Sequence, residues 1–208
     1  MFKKILGLTA IVAVLATVSG GISTAQADTS VFHDPNYDFT ISYPDSWDAH
    51  PSSDPSVQWQ VAPPEHAGKA MCNIKAAYDG PLKIYPDRLM SKAVKNQLND
   101  KFWHENIVQY RNIKINRFSP SSGFGEGFAT HAQFSYTEND DKKSTHMTAV
   151  TLGSIYGDTK YIMTCTAQTD AFATWAPVFG NIMDTVTLKA KYHPVATGYY
   201  RDFLSDKN

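Results

Sequence analysis

The stretch GFATHAQFSYTENDDKKSTHMTAVTLGSIYGDTKYIMTCTA, residues 127–167, decides the fold. It reads as three extended segments, near 127–136, 145–155 and 160–167, rich in the β-branched and aromatic residues that suit a pleated, half-buried surface. A short charged turn at 138–143 and Gly157-Asp158 separate them. Just upstream, residues 110–118 read as another strand, and the Ser/Gly/Pro cluster at 119–123 as the turn leading out of it. Four consecutive strands with short connections predict an antiparallel meander.

Working outward toward the N-terminus, Tyr37, Phe39, Ile41 and Tyr43 alternate with polar residues and form one face of a strand closed by Pro44. Residues 28–36 read as a polar lead-in ending in the turn Asp34-Pro35-Asn36, and Trp47 sits in the following turn. A loop at 48–56, a strand near 57–62, the Pro63-Pro64 break and a strand at 70–78 come next. Pro86-Asp87 has the chemistry of a helix start, and Met90, Val94, Leu98 and Phe102 recur every four residues behind it, predicting one helix. A last helix is expected from Thr169-Asp170, with Phe172, Trp175, Phe179, Ile182, Met183 and Val186 on its apolar face. Pro177 predicts a kink there, or a helix that begins just before it. The class is therefore α+β.

Lys3 and Lys4, the apolar run from Ile5 to Val18 and the Ala25-Gln26-Ala27 site have the form of an export signal cleaved after Ala27. That run is shorter than the roughly 20 residues a helix needs to cross a bilayer. Removing the signal from the 208-residue chain takes two of its 19 basic residues and none of its 20 acidic ones, leaving a formal charge of −3. Such a balance argues against nucleic acid as a partner. The expected location is the periplasm, with peripheral attachment to the inner membrane at most. Cys72 and Cys165 both follow the cleavage site, and in an oxidising compartment one disulfide closing a 93-residue loop is worth roughly 4.5 kcal/mol by the chain-entropy model. Two separately buried thiols are the alternative reading.

Two segments carry a family resemblance. Residues 37–47, Tyr37-Asp38-Phe39-Thr40-Ile41-Ser42-Tyr43-Pro44-Asp45-Ser46-Trp47, resemble the F-x-I-x-Y-P-x-x-W opening of the PsbP-like family. Residues 161–167, followed by Phe172, Trp175, Pro177, Phe179 and Ile182, are similar to that family's strand-to-helix ending. The resemblance implies an antiparallel β-sheet flanked by helices on both faces, an α/β/α sandwich, and members that act mostly as non-catalytic extrinsic or assembly proteins. The resemblance covers roughly residues 36–188; together with the export signal, the expected layout is a signal peptide at 1–27, one PsbP-like domain at 28–189 and a C-terminal tail at 190–208.

Catalytic and metal-binding patterns are not matched. Gly123-Phe124-Gly125-Glu126-Gly127 precedes a strand rather than the helix a phosphate loop needs, so it reads as a flexible turn or bulge. Asp34, Asn36 and Asp38 start like a calcium loop, yet Phe39 occupies the place of the required glycine. No histidine pair has metal-ligand spacing, and if the 138–143 turn centres between Asp140 and Asp141, His131 and His146 lie several positions apart across their hairpin. Serine hydrolases of the G-x-S-x-G type are not indicated. No catalytic residue, cofactor or metal is therefore expected.

The tail combines Tyr192, Tyr199, Tyr200, Arg201 and Phe203, residue types enriched at interface hot spots, and reads either as a partner-binding arm or as a segment packed on its own sheet. These features point to an exported, non-catalytic accessory subunit that docks on a larger membrane-bound complex, with a quinone-linked respiratory dehydrogenase assembly as the expected kind of partner. The competing expectation is a periplasmic module for a small apolar ligand or lipid, held between sheet and helix at Phe172, Trp175 and Phe179.

Overall fold

The computed structural model describes residues 28–81, 89–125, 127–140 and 143–188. The signal segment, the Pro86-Asp87 helix start and the tail residues Tyr192, Tyr199, Tyr200, Arg201 and Phe203 lie outside the described residues. Nine strands and three α-helices appear among them, in the order β1 (Thr29–Asp34), β2 (Phe39–Pro44), β3 (Asp48–Ala49), β4 (Val57–Ala62), β5 (Met71–Tyr78), α1 (Met90–Gln97), α2 (Asp100–Asn106), β6 (Arg111–Phe124), β7 (Gly127–Asp140), β8 (Lys143–Tyr156), β9 (Thr159–Gln168) and α3 (Phe172–Asp184). Strands β3 to β9 form one antiparallel sheet of order β3-β4-β5-β9-β8-β7-β6, and β1 and β2 form a separate hairpin. The expected meander is the β9-β8-β7-β6 half of that sheet.

Alternation along the strands sorts the core. Cys72, Ile74 and Ala76 of β5, Tyr161, Met163 and Cys165 of β9, and Leu152 and Tyr156 of β8 join one cluster with Phe39 and Ile41 of the hairpin and Phe179, Ile182 and Met183 of α3. Ile155 of β8 belongs to a different cluster, with Met90, Ala93, Val94 and Leu98. Gly153 fits between Ile155 and Leu152 because it has no side chain: a Cβ there would lie 2.9 Å from Leu98 Cδ1 and from the Trp103 ring, so only glycine lets α1 and α2 approach β8.

Several expectations are corrected. Residues 29–34 form β1 rather than a lead-in, since Phe32 opposes Ile41 and packs on the core. Asp34 ends that strand in the expected turn, its carboxylate accepting from Asn36 N at 2.8 Å and Tyr37 N at 2.9 Å as an Asx-turn residue. The single helix over 86–102 is two, because Asn99 caps α2 by accepting from Phe102 N at 3.0 Å. The Leu98 carbonyl left at the break accepts from the Thr130 hydroxyl at 2.7 Å, and Thr130 Oγ1 in turn accepts from the Trp103 indole N–H at 2.9 Å.

The Ser/Gly/Pro cluster is not a turn either. Strand β6 runs through Ser119 and Pro120 to Phe124, and the chain reverses at Gly125, whose φ of +54° favours glycine. Pro120 is tolerated because β6 is the sheet's outer strand. The β7–β8 hairpin is longer than its charged residues suggested: Asp140 opposes Lys143, so the turn centres one residue later, His131 opposes Leu152 and His146 opposes Thr137. Helix α3 begins at Phe172 and continues through Pro177 to Asp184, instead of starting just before the proline.

Candidate functional site

Register places Cys72 directly opposite Cys165 in the β5–β9 pair, with a Cα–Cα distance of 4.1 Å, and the two are disulfide-bonded. Both are fully buried. The bond ties the fifth strand in chain order to the last, two strands that no short connection could join.

The same alternation sends Met71, Asn73 and Lys75 of β5, and Ile162, Thr164 and Thr166 of β9, to the side of the sheet away from the disulfide. There they floor an open groove. Two adjoining cavities of about 400 and 390 Å³ make it up, sharing Asn73, Gln109, Tyr110 and Thr164 in their linings. Loop residues Ser52 and Asp54 stand on one side, and the segment 106–111 after α2 on the other. The β7 residues Phe134 and Tyr136 close the far end beneath Tyr110, whose ring centroid lies 4.4 Å from that of Tyr136 and 5.5 Å from that of Phe134.

Charge in the groove is mostly self-compensated. Lys75 Nζ donates to Asp54 Oδ2 at 2.6 Å, and Ser56 donates to Asp54 Oδ1 through its hydroxyl at 2.7 Å and its backbone N–H at 2.9 Å. The lysine bond foremost, then the serine bonds, holds the Asp54 carboxyl well below the usual carboxylate range. Glu138 accepts from Lys69 Nζ at 2.9 Å. Burial pushes the Tyr136 phenol up to about 12, and its hydroxyl shares a hydrogen bond of 3.1 Å with Thr166 Oγ1. At neutral pH the groove thus presents a fixed carboxylate and a fixed phenol, each far from the pKa near 7 that proton transfer favours.

The histidines do not gather. His131 is half-buried, and desolvation, with the Arg117 charge beside it, lowers its pKa. Among the described residues no group of three or more His, Cys, Asp or Glu is placed to hold a metal. Phe172 and Phe179 lie 5.9 Å apart, Trp47 packs edge-on to Trp175 at 5.5 Å and to Phe179 at 6.4 Å, and the groove is lined by none of them. Trp47 closes the expected turn, its N–H donating to the Pro44 carbonyl at 2.9 Å, and its ring is also a buried member of this aromatic set.

The groove was not anticipated from sequence, although alternation in Met71-Cys72-Asn73-Ile74-Lys75 and Ile162-Met163-Thr164-Cys165-Thr166 marks which side chains face it. What was missing is the strand order that brings these runs together and the placement of 106–111 beside them.

No family model matches the sequence, and no curated protein matches it. Among solved structures the chain is similar to cyanobacterial PsbP (CyanoP) from Synechocystis sp. PCC 6803, at 11% identity over 80% of this chain and 95% of that one, with a TM-score of 0.50. It is also similar to LpqN of Mycobacterium tuberculosis, described as involved in cell envelope biogenesis, at 15% identity over 77% and 90%, TM-score 0.44. The Saccharomyces cerevisiae Ran-binding protein Mog1p gives 6% identity over 80% and 99%, TM-score 0.47. The fold is PsbP-like, as the two sequence segments implied.

Proposed function

We propose that the protein is a non-catalytic, exported accessory module that acts by binding. One observation carries this reading: two of the groove's side chains are held in a single protonation state at neutral pH, Asp54 as carboxylate by its bonds from Lys75 and Ser56 and Tyr136 as phenol by burial, which supports recognition. Export is supported by the signal-like residues 1–27 and by the buried Cys72–Cys165 bond, of a kind that persists in oxidising compartments. Among the described residues no helix is long and apolar enough to cross a membrane.

In this reading residues 28–189 form a single α/β/α domain. Support comes from β8, where neighbouring positions meet different helices: Leu152 clusters with α3, and Gly153 lies against Leu98 and Trp103. Residues 190–208 are the docking arm, with Tyr192, Tyr199, Tyr200, Arg201 and Phe203 as anchors, and the partner is a membrane-bound complex of the quinone-linked dehydrogenase kind. The module contributes attachment or stability to that complex and no step of its turnover.

The test is a mild-detergent pull-down of the tagged protein from its own membranes, repeated with the chain ended after Lys189. A cofactor-bearing dehydrogenase or cytochrome recovered in fixed proportion, and lost on truncation at unchanged melting temperature, is expected. Recovery of the protein alone refutes the docking reading.

A further inference from the structure

Once the ion pairs are formed, much of the hydrogen-bonding capacity left in the groove is amide, with the exposed Arg111 guanidinium as the charged remainder. Gln60, Asn73, Asn106 and Gln109 line it, and the side chain of none is hydrogen-bonded to another described residue. Each amide offers two donors and a carbonyl acceptor without net charge. A neutral ligand that carries donors and acceptors side by side, as vicinal hydroxyls do, satisfies both halves of each amide.

The arrangement also has a repeat. Gln60 opposes Asn73 and Asn73 opposes Thr164, so three polar side chains stand in one row across β4, β5 and β9, while Thr151, opposite Thr164 on β8, is buried and bonded to Thr164 Oγ1 and the Met163 carbonyl. Their spacing is that of adjacent strands, about 4.8 Å, close to the length of one sugar ring, whereas alternate side chains of an extended peptide recur at about 6.8 Å and fall out of step. The half-buried Tyr110 lines both cavities beside this row, its ring propped on Tyr136 and Phe134. A braced aromatic beside unpaired amides can stack a pyranose ring while the amides bond its hydroxyls.

We propose that the groove is a binding site for a neutral oligosaccharide chain laid across the strands, with Gln60, Asn73, Asn106 and Gln109 bonding its hydroxyls and Tyr110 stacking on a ring. The inference rests on the reading of the groove as a binding surface, and it is independent of the tail. Lys75 and Asp54 neutralise each other and Lys69 pairs with Glu138, and the charged Arg111 lies in the cavity that Gln60 and Asn106 do not line, so those two amides meet no net charge.

The experiment titrates the full chain, signal removed, with cellotetraose, chitotetraose, maltotetraose and mannotetraose at millimolar concentration, following the Asn and Gln side-chain NH2 signals by NMR. At least one sugar is expected to bind saturably and shift the signals of Asn73, Gln60, Asn106 and Gln109. Asn73→Ala and, on the exposed loop, Gln109→Ala should each weaken binding about tenfold, the loss of one or two ligand hydrogen bonds, at unchanged melting temperature. No shift with any of the four sugars, shifts confined to other residues, or the same shifts produced only by a neutral Ser/Asn/Gln tetrapeptide would each overturn the proposal. A negative sugar panel with an intact pulled-down complex removes the ligand and leaves the docking reading standing; sugar binding without a recovered complex does the reverse.

Discussion

Reducing the Cys72–Cys165 bond should destabilise the protein mainly through its unfolded state. The sequence separation is 93 residues, for which loop-closure entropy gives about 4.6 kcal/mol at 25 °C. Because Cys72 and Cys165 are already opposed by strand pairing, with neighbours Asn73–Thr164 and Ile74–Met163 in the same register, the backbone pairing is held when the bond opens and the two sulfurs separate only to van der Waals contact. Oxidised and reduced wild-type protein differ in no packed atom except hydrogen, so comparing them isolates the cross-link. The double substitution Cys72→Ala, Cys165→Ala adds a cavity cost on top, since both sulfurs are fully buried. In urea, with a slope of about 2 kcal/mol/M, reduction should lower the midpoint by roughly 2 M and steepen the slope, because the freed unfolded chain exposes more surface. A midpoint shift below about 0.5 M with an unchanged slope would refute the argument that the bond acts by restraining the unfolded chain.

Three further outcomes are expected. Thr130→Val leaves the Trp103 indole N–H and the Leu98 carbonyl without their shared buried partner, at about 1–3 kcal/mol for each group, measured by urea unfolding; a change within about 0.5 kcal/mol would show that the α1–α2 junction does not depend on it. Gly125→Ala must hold φ at +54° and place its Cβ against the Val186 carbonyl, so a loss of at least about 1–2 kcal/mol is expected, and a neutral result would mean the β6–β7 turn can re-form elsewhere. Tyr136 binds its proton up to about pH 12 in the folded state and up to about 10 unfolded, so its contribution is complete below pH 10 and declines between 10 and 12. Tyr136→Phe should flatten the alkaline fall in stability over that window, as read from melting temperatures; an unchanged slope would show the phenol is not protected by burial.

Much of the sheet was legible because alternation is a local signal. Phe39 and Ile41, or Cys72, Ile74 and Ala76, declare their buried side within a few residues, and all five are buried. The errors share a cause as well. Asn99 reads as one more polar residue on a helix face, yet the same side chain is a capping group, and the Trp103–Thr130–Leu98 bonds stabilise the broken arrangement. Thr29 to Asp34 is too polar to declare a strand, and forms one because Phe32 finds Phe39 and Trp59. The groove depends on β5 lying beside β9, a long-range fact that local patterns do not contain. The one sequence feature that bears on it is the cysteine pair: a bond between Cys72 and Cys165 implies that their strands are neighbours, and with that neighbourhood Asn73 meets Thr164.

The sheet's edges bear on how a partner can attach. One edge is β3, only two residues long, and the other is the fourteen-residue β6. A long open edge is a template for strand addition, but β6 is poorly suited to it. Its pairing with β7 slips at three places, between Arg111 and Lys114, Ile115 and Arg117, and Ser119 and Ser122, so its hydrogen-bonding groups are not evenly spaced. Pro120 has no N–H to donate, and Arg111, Lys114 and Arg117 are all exposed along it. The serine, glycine and proline content that imitates a turn in the sequence is what keeps this edge from pairing with a second chain. Within the proposed reading, attachment at this edge uses side chains rather than an added strand, and the amide-lined groove crossing β4, β5 and β9 is the proposed ligand surface.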